Sequence, residues 1–312
     1  MIKIAMVVCA VIVVVAVIMT ATDWFGGSEI FGSYANAEKY TAGGTEIADG
    51  IQNLDIHWTS GKVTVAYHAE NTITVAETCS RNLSEDEQLR WWVDGDTLRI
   101  QYAKPGLRIS FNGGGKQLTV TLPEGIELNN VQINVTSADV TVPELKAKQL
   151  DIGATSGDMD VEAEAETVKA GATSGDLKLK FTGKADFIKI GTTSGDVRME
   201  AESVKEIEAG STSGRLEITA EENEKTEIGC TSGTVRVTLK KSEKLHVGTT
   251  SGNVTVVIPA EPGFTAEINS VSGDFNSAMA LTKSGNRYSC GDGNAEIDIG
   301  TVSGDISIEA VE

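Results

Sequence analysis

The sequence predicts an all-β protein: a parallel β-solenoid, or β-helix, with coils of about nineteen residues, preceded by one N-terminal transmembrane helix. Three observations carry that prediction. A short corner motif, seen in "IGTTSGDVRM" at residues 190–199, recurs in near-constant register. Apolar and polar residues alternate on both sides of each copy. The N-terminal residues are of another kind, almost wholly apolar.

From Ile4 to Met19 the chain reads "IAMVVCAVIVVVAVIM", with Cys9 its sole polar interruption. With Thr20 and Ala21 it approaches the roughly 20 residues that cross a bilayer as a helix. Lys3 precedes the run, while Asp23 and Glu29 follow it and the next base is Lys39. The positive-inside bias then places the N-terminus in the cytoplasm and the remainder outside. A cleaved signal peptide is the alternative, but "MTATDW" makes a poor cleavage site and Cys9 lies too near the start to be a lipoprotein cysteine. Residues 1–22 are therefore read as a single-pass cell-membrane anchor. Residues 23–50, rich in Gly, Ala and Ser without a sustained period, read as a juxtamembrane linker, and 51–312 as an extracytoplasmic repeat domain.

Repetition organises the rest. Ser137, Ser156, Ser174, Ser194, Ser213, Ser232, Ser251 and Ser272 are separated by 19, 18, 20, 19, 19, 19 and 21 residues. Ser60 in "WTSGKVTV" lies 77 residues before Ser137, close to four further periods, with weakened corners expected between them at "VDGDTLRI" (93–100) and "NGGGKQLTV" (112–120). Ser303 in "TVSGDISI" lies 31 after Ser272, one period plus an insertion.

The flanks decide the fold. Two, four and six residues before the serine come Thr192, Ile190 and Ile188 in one copy and Ser211, Ala209 and Ile207 in the next. Three and five residues after it come Val197 and Met199, then Leu216 and Ile218. This period of two means strands with one buried face. A lone strand pair cannot hide that face, whereas equivalent strands stacked about 4.8 Å apart close a common interior. A propeller repeat of about forty residues does not fit the register.

The corners explain the motif. Gly157, Gly175, Gly195, Gly214, Gly233, Gly252, Gly273 and Gly304 supply the positive φ of a sharp turn. Ser156, Ser174, Ser194, Ser213, Ser232, Ser251, Ser272 and Ser303, with Asp158, Asp176, Asp196, Asp274 and Asp305, satisfy nearby backbone groups with short side chains. A row running Asp139, Asp158, Asp176, Asp196 offers a cation-binding alternative. Arg215, Thr234 and Asn253 interrupt it, and each coil supplies too few oxygens for calcium.

"LTVTLPEGIELNNVQINVTSADVTV" (118–142), the serial "TSGDV" corners and the ending "YSCGDGNAEIDIGTVSGDISIE" together resemble the bacterial putative-adhesin family of β-strand repeats, a domain of unknown function. The resemblance spans about residues 50–312 and implies a β-solenoid at the cell envelope with no catalytic residues to carry over. Ala138 at the Gly position departs from the pattern.

With 26 basic and 45 acidic residues, the net charge of −19 excludes a nucleic-acid partner. His57 and His246 fall on the outward phase of strands, and no His/Cys/Asp spacing matches a metal or nucleophile motif, so no catalytic, cofactor or metal residue is assigned. Cys230 takes a small inward position; Cys79 and Cys290 are the pair left for an extracellular bridge, which their places near opposite ends of the stack disfavour. All four tryptophans occur by residue 92. Trp58 is inward, and Trp91 and Trp92 either cap the solenoid or present a glycan or partner surface. The insertion at 276–294 either covers the C-terminal end or projects as a contact loop.

The expected function is a non-catalytic, membrane-anchored cell-envelope scaffold or adhesin-like module that binds an envelope polymer, a membrane protein or itself. A carbohydrate-active β-helix enzyme is the alternative, although its two carboxylates must face each other across one cleft and here the acids are spread along the repeats. A third reading, implied by the resemblance, is an envelope-stress accessory; with three residues before the apolar run, it acts through a membrane partner.

Overall fold

The computed structural model describes residues 34–48, 50–106 and 115–311. The expected membrane anchor and linker residues 23–33 lie outside them. Among the described residues no helix is long and apolar enough to cross a membrane.

Strand dominates. Leu128–Ser156, Met159–Ser174, Leu177–Ser194 and Val197–Ser251 are long strands that turn corners without leaving the ladder. Successive coils pair in parallel through two or three segments, as where Leu177–Phe181, Lys184–Ala185 and Phe187–Ser194 meet Val197–Ala201, Ser203–Val204 and Glu206–Ser213. The interior is a set of columns. Ile152, Ala170, Ile190 and Ala209 stand directly opposite one another, each at most 1% exposed. Burying each such isoleucine is worth about 1.5–3 kcal/mol relative to leaving it in water, and alternation with alanine keeps the interior narrow.

Corner residues stack as Ser60 on Ser137, Ser156 on Ser174, Ser174 on Ser194 and Ser194 on Ser213. The four periods expected between Ser60 and Ser137 do not exist. The coil of Asn53–His68 lies directly against that of residues 130–141, and the chain between them leaves the stack and returns. On its return, Thr97–Gln101 and Gln117–Pro123 lie against the outer side of Asn53–His68 and form the terminal coil. "VDGDTLRI" is no corner; it is the hairpin joining antiparallel strands Arg90–Asp94 and Thr97–Gln101. In the second weakened copy Lys116 does occupy the corner, with its carbonyl accepting the Lys62 N–H at 3.1 Å.

The C-terminal end repeats this device. Ser303 does not follow Ser272 in space; Ala295–Ser303 inserts between the Ser251 coil and Gly263–Ser272, parallel to both. A sequence period reports order along the chain, and at both ends the order in space is permuted by one coil.

Antiparallel strands close the ends. Residues 41–47, expected as linker, pair into the N-terminal cap as Thr41–Ala42 and Thr45–Ile47. The insertion forms the hairpin Thr282–Ser284 and Arg287–Gly291, laid on Gly263–Ser272, so it covers the end. The outermost strands are two or three residues long. Edges this short offer little template for end-to-end stacking.

Candidate functional site

The corners act between coils. The corner glycines have φ between +123° and +155°. A Cβ on Gly195 would sit 2.1 Å from the Gly175 carbonyl oxygen, so these positions need glycine for close approach as well as for conformation. The Asp139, Asp158, Asp176 and Asp196 row is real, and its Oδ1 atoms are occupied. Each accepts the backbone N–H at the same position of the next coil, at 3.1, 2.9, 2.8 and 2.8 Å, the last from Arg215. Asn253 does the same for Asp305, and Asp305 for Asp274. Where Arg215 and Thr234 replace the acid, the strand runs unbroken through both corners. Asp176→Ala is therefore expected to cost about 1–2 kcal/mol, and Asp176→Asn under about 0.5 kcal/mol because Asn253 already performs the role, as read from urea midpoints. Among the described residues no three His, Cys, Asp or Glu side chains are placed to hold a metal.

Outer faces carry charged rungs between adjacent coils. Lys178 lies 3.0 Å from Asp160, Lys180 2.6 Å from Glu162, Lys189 2.8 Å from Glu208, and Lys240 2.7 Å from Glu221. The exposed ones among them contribute at most about 1 kcal/mol each, and Lys189–Glu208 is half-buried. Their effect is on register, since a slipped strand would lose its partners.

Two clefts flank the inserted C-terminal coil. The larger, about 710 Å³, lies between Lys240–Lys244 and the segments 258–263 and 293–296. On one side it has Asn223, 6% exposed, whose Nδ2 donates to Thr226 Oγ1 at 2.7 Å. The second, about 550 Å³, includes His246, Asp298, Lys225 and Arg287. Nothing in the sequence announced either cleft, although Pro259 and Pro262 mark where the chain leaves the ladder.

His246 Nδ1 lies 3.1 Å from Asp298 Oδ2 and joins the Ser251 coil to the inserted one. The hydrogen bond to Asp298 raises its pKa above the ordinary value, against desolvation, with Glu227 adding to the rise and Lys225 opposing it. A raised folded-state value means stabilisation fully present below about pH 6.5 and lost as pH rises through the folded value. The melting temperature is expected to fall from pH 5.5 to pH 8 by an increment that His246→Gln abolishes.

The N-terminal cap holds a buried cation that the sequence reading missed. Lys116 Nζ lies 2.7 Å from Glu77 Oε2 and donates to the carbonyls of Glu87 and Tyr102. The same ammonium sits 5.0 Å from the Trp58 ring centroid and 4.3 Å from that of Tyr102. Desolvation lowers its pKa, with Glu77 opposing the shift.

The family model described as Toastrack DUF4097 matches residues 51–309, which takes in every coil of the ladder. The chain belongs to the Toastrack DUF4097 family. No curated protein matches the Toastrack chain. Among solved structures it is similar to a putative cell adhesion protein from Clostridium sporogenes, with 13% identity over 87% of this chain and 100% of that one and a TM-score of 0.22. It is also similar to a putative adhesin from Bacteroides fragilis, with 11% identity over 86% and 96% and a TM-score of 0.42. The Toastrack fold rests here on strand register and the family match rather than on these superpositions.

Other expected residues of the Toastrack chain fall as follows. Cys79 and Cys290 are not bridged; they belong to opposite caps. Cys230 is buried, and desolvation pushes its thiol up to about 11. His57 Nε2 lies 3.0 Å from Asp55, and His68 Nε2 lies 2.6 Å from the Thr72 carbonyl. Trp58 packs edge-on to Tyr102, and Trp92 on Tyr40, as parts of the cap.

Proposed function

We propose that this Toastrack chain is a non-catalytic, membrane-anchored cell-envelope scaffold that binds partners through its lateral surface in the manner of an adhesin. The observation that carries the reading is the single ladder: parallel coils with their corners aligned and both ends closed by short antiparallel strands. Such an object is a rod, and its free surface is its sides. The Ile4–Met19 run supplies the anchor in this reading. Tyr34 joins the cap by donating to the Ala103 carbonyl at 3.1 Å and packing on Tyr40. A membrane anchor would therefore hold the N-terminal cap toward the bilayer and turn the C-terminal clefts outward.

Crosslinking the full chain in native membranes, followed by identification of what is captured and where, tests this. Lateral contacts with an envelope polymer or membrane protein, together with resistance to carbonate extraction, are expected. Release by carbonate would overturn the anchor. Hydrolase or lyase turnover that disappears when clustered acids are replaced would overturn the non-catalytic assignment.

A further inference from the structure

We infer that Leu239–Glu243 forms a docking ledge for an extended, acidic peptide segment of a partner protein, which adds one strand to the third face of the solenoid. Each coil from Ser156 to Ser232 contributes a short third segment, and the last of these has no successor. On the C-terminal side, register runs from Val235–Thr238 against Val254–Val257 and resumes with Lys244 against Glu296. Between those points the next coil turns away at Pro259, which has no N–H to donate, and does not pair again until Gly263, where it meets Gly291. Leu239–Glu243 is strand, and among the described residues no strand pairs with it on that side.

The empty lane is the larger cleft, about 710 Å³. Among the described residues no segment fills it, and the last of them, Val311, is held at its rim by an N–H bound to the Ile258 carbonyl at 3.3 Å. A five-residue edge runs about 16 Å and presents evenly spaced backbone donors and acceptors, which an extended peptide matches. The corresponding cleft at the other end of this face, beside Lys146–Lys148, is about 290 Å³ and less able to seat a strand.

The cleft's lining is balanced, four lysines against four glutamates, and it is the rung at Lys240 and Lys241 that sets the preference. Across the third face, lysine in one coil faces acid in the previous one: Lys205 and Asp186, Lys240 and Glu221, Lys241 and Glu222. Lys240 and Lys241 are both exposed and have this partner on one side only; the lane where the next rung would stand is open. A parallel strand carrying two consecutive acids would continue the pattern that orders the coils below it. In a chain of net charge −19, most of the remaining surface repels such a segment.

The test is a fluorescence-anisotropy titration of the full chain with a labelled hexapeptide, alanine–glutamate–glutamate–valine–serine–alanine. Saturable binding is expected. It should be weakened about tenfold or more by Lys240→Glu/Lys241→Glu and abolished when alternate backbone amides of the peptide are N-methylated. Equal binding of a lysine-for-glutamate peptide, indifference to N-methylation, or no saturation at millimolar peptide would overturn the proposal. Melting temperature reports whether the variant is intact, and Lys240→Gln/Lys241→Gln makes the same comparison if charge reversal lowers it. The inference rests on the binding-module reading, yet a failed titration leaves lateral capture in membranes untouched, and enzymatic turnover would remove that reading without altering the titration.

Discussion

Gly195→Ala is expected to destabilise the chain by about 3–5 kcal/mol, at the upper end of single substitutions. Two costs add at this position. Its φ of +133° lies where an L side chain is strained, and the new Cβ would meet the Gly175 oxygen at 2.1 Å and its carbonyl carbon at 2.8 Å. Neither obstacle is the flexible end of a side chain. Relief requires separating two coils, which breaks the parallel ladder on both sides of the corner. Gly95→Ala is the control: φ there is +66° with nothing within 4 Å of the added carbon, so only the left-handed backbone is taxed, at about 1–2 kcal/mol. Far-ultraviolet circular dichroism in guanidinium reads the difference. A midpoint shift for Gly195→Ala no larger than for Gly95→Ala would show that the coils are not held at this spacing.

Lys116→Met is expected to cost about 3–5 kcal/mol, by leaving the Glu77 carboxylate buried without its cation. The side chains of Lys116 and Glu77 are 4% and 9% exposed, so solvent cannot take over the missing contact. The carbonyls of Glu87 and Tyr102 lose a donor as well. Adding Glu77→Gln removes the orphaned charge and keeps an acceptor for the Leu89 N–H, which Glu77 Oε1 holds at 2.7 Å, so the double variant should recover more than half of the loss. Trp58, Trp91 and Trp92, three of the chain's four tryptophans, lie in this cap, and with Trp24→Phe as the background tryptophan fluorescence becomes its local reporter. Because each coil contacts only its neighbours, the fluorescence transition is expected to move further than the dichroism transition. Coincident shifts would mean that the rod melts as one unit.

The regular middle of the molecule was legible because its determinants are local and repeated. Ile190 sits opposite Ala209 since both fall four residues before a corner serine, and any chain with that spacing buries the same face. Gly195 was legible as a corner by its conformation alone. Its second requirement, clearance from Gly175, belongs to two coils at once and no single copy displays it. The same holds for the aspartates, whose neighbours in sequence are not the groups they serve: Asp176 Oδ1 binds the N–H of Asp196, 20 residues away.

The ends were misread for a related reason. Ser60 and Ser137 are in contact although 77 residues separate them, and Ser303 precedes Ser272 in the stack. Spacing cannot distinguish a coil that continues the stack from a chain that departs and returns, because both preserve the alternation of strands. Lys116 stands inside the weakened corner at 112–120, yet its burial is created by Glu77, Trp58 and Tyr102 arriving from other strands.

By itself the sequence determined the all-β class, the coil length, the inward columns and the corners of the regular coils from Ser137 to Ser251. Those follow from alternation and from glycine's freedom at φ above zero, properties carried within a few residues. The tertiary structure alone decided the spatial order of the terminal coils, the buried ammonium and the open ledge at Leu239–Glu243. Each of these is a relation between backbones far apart in the chain, and its energy exists only once they are brought within about 5 Å of one another.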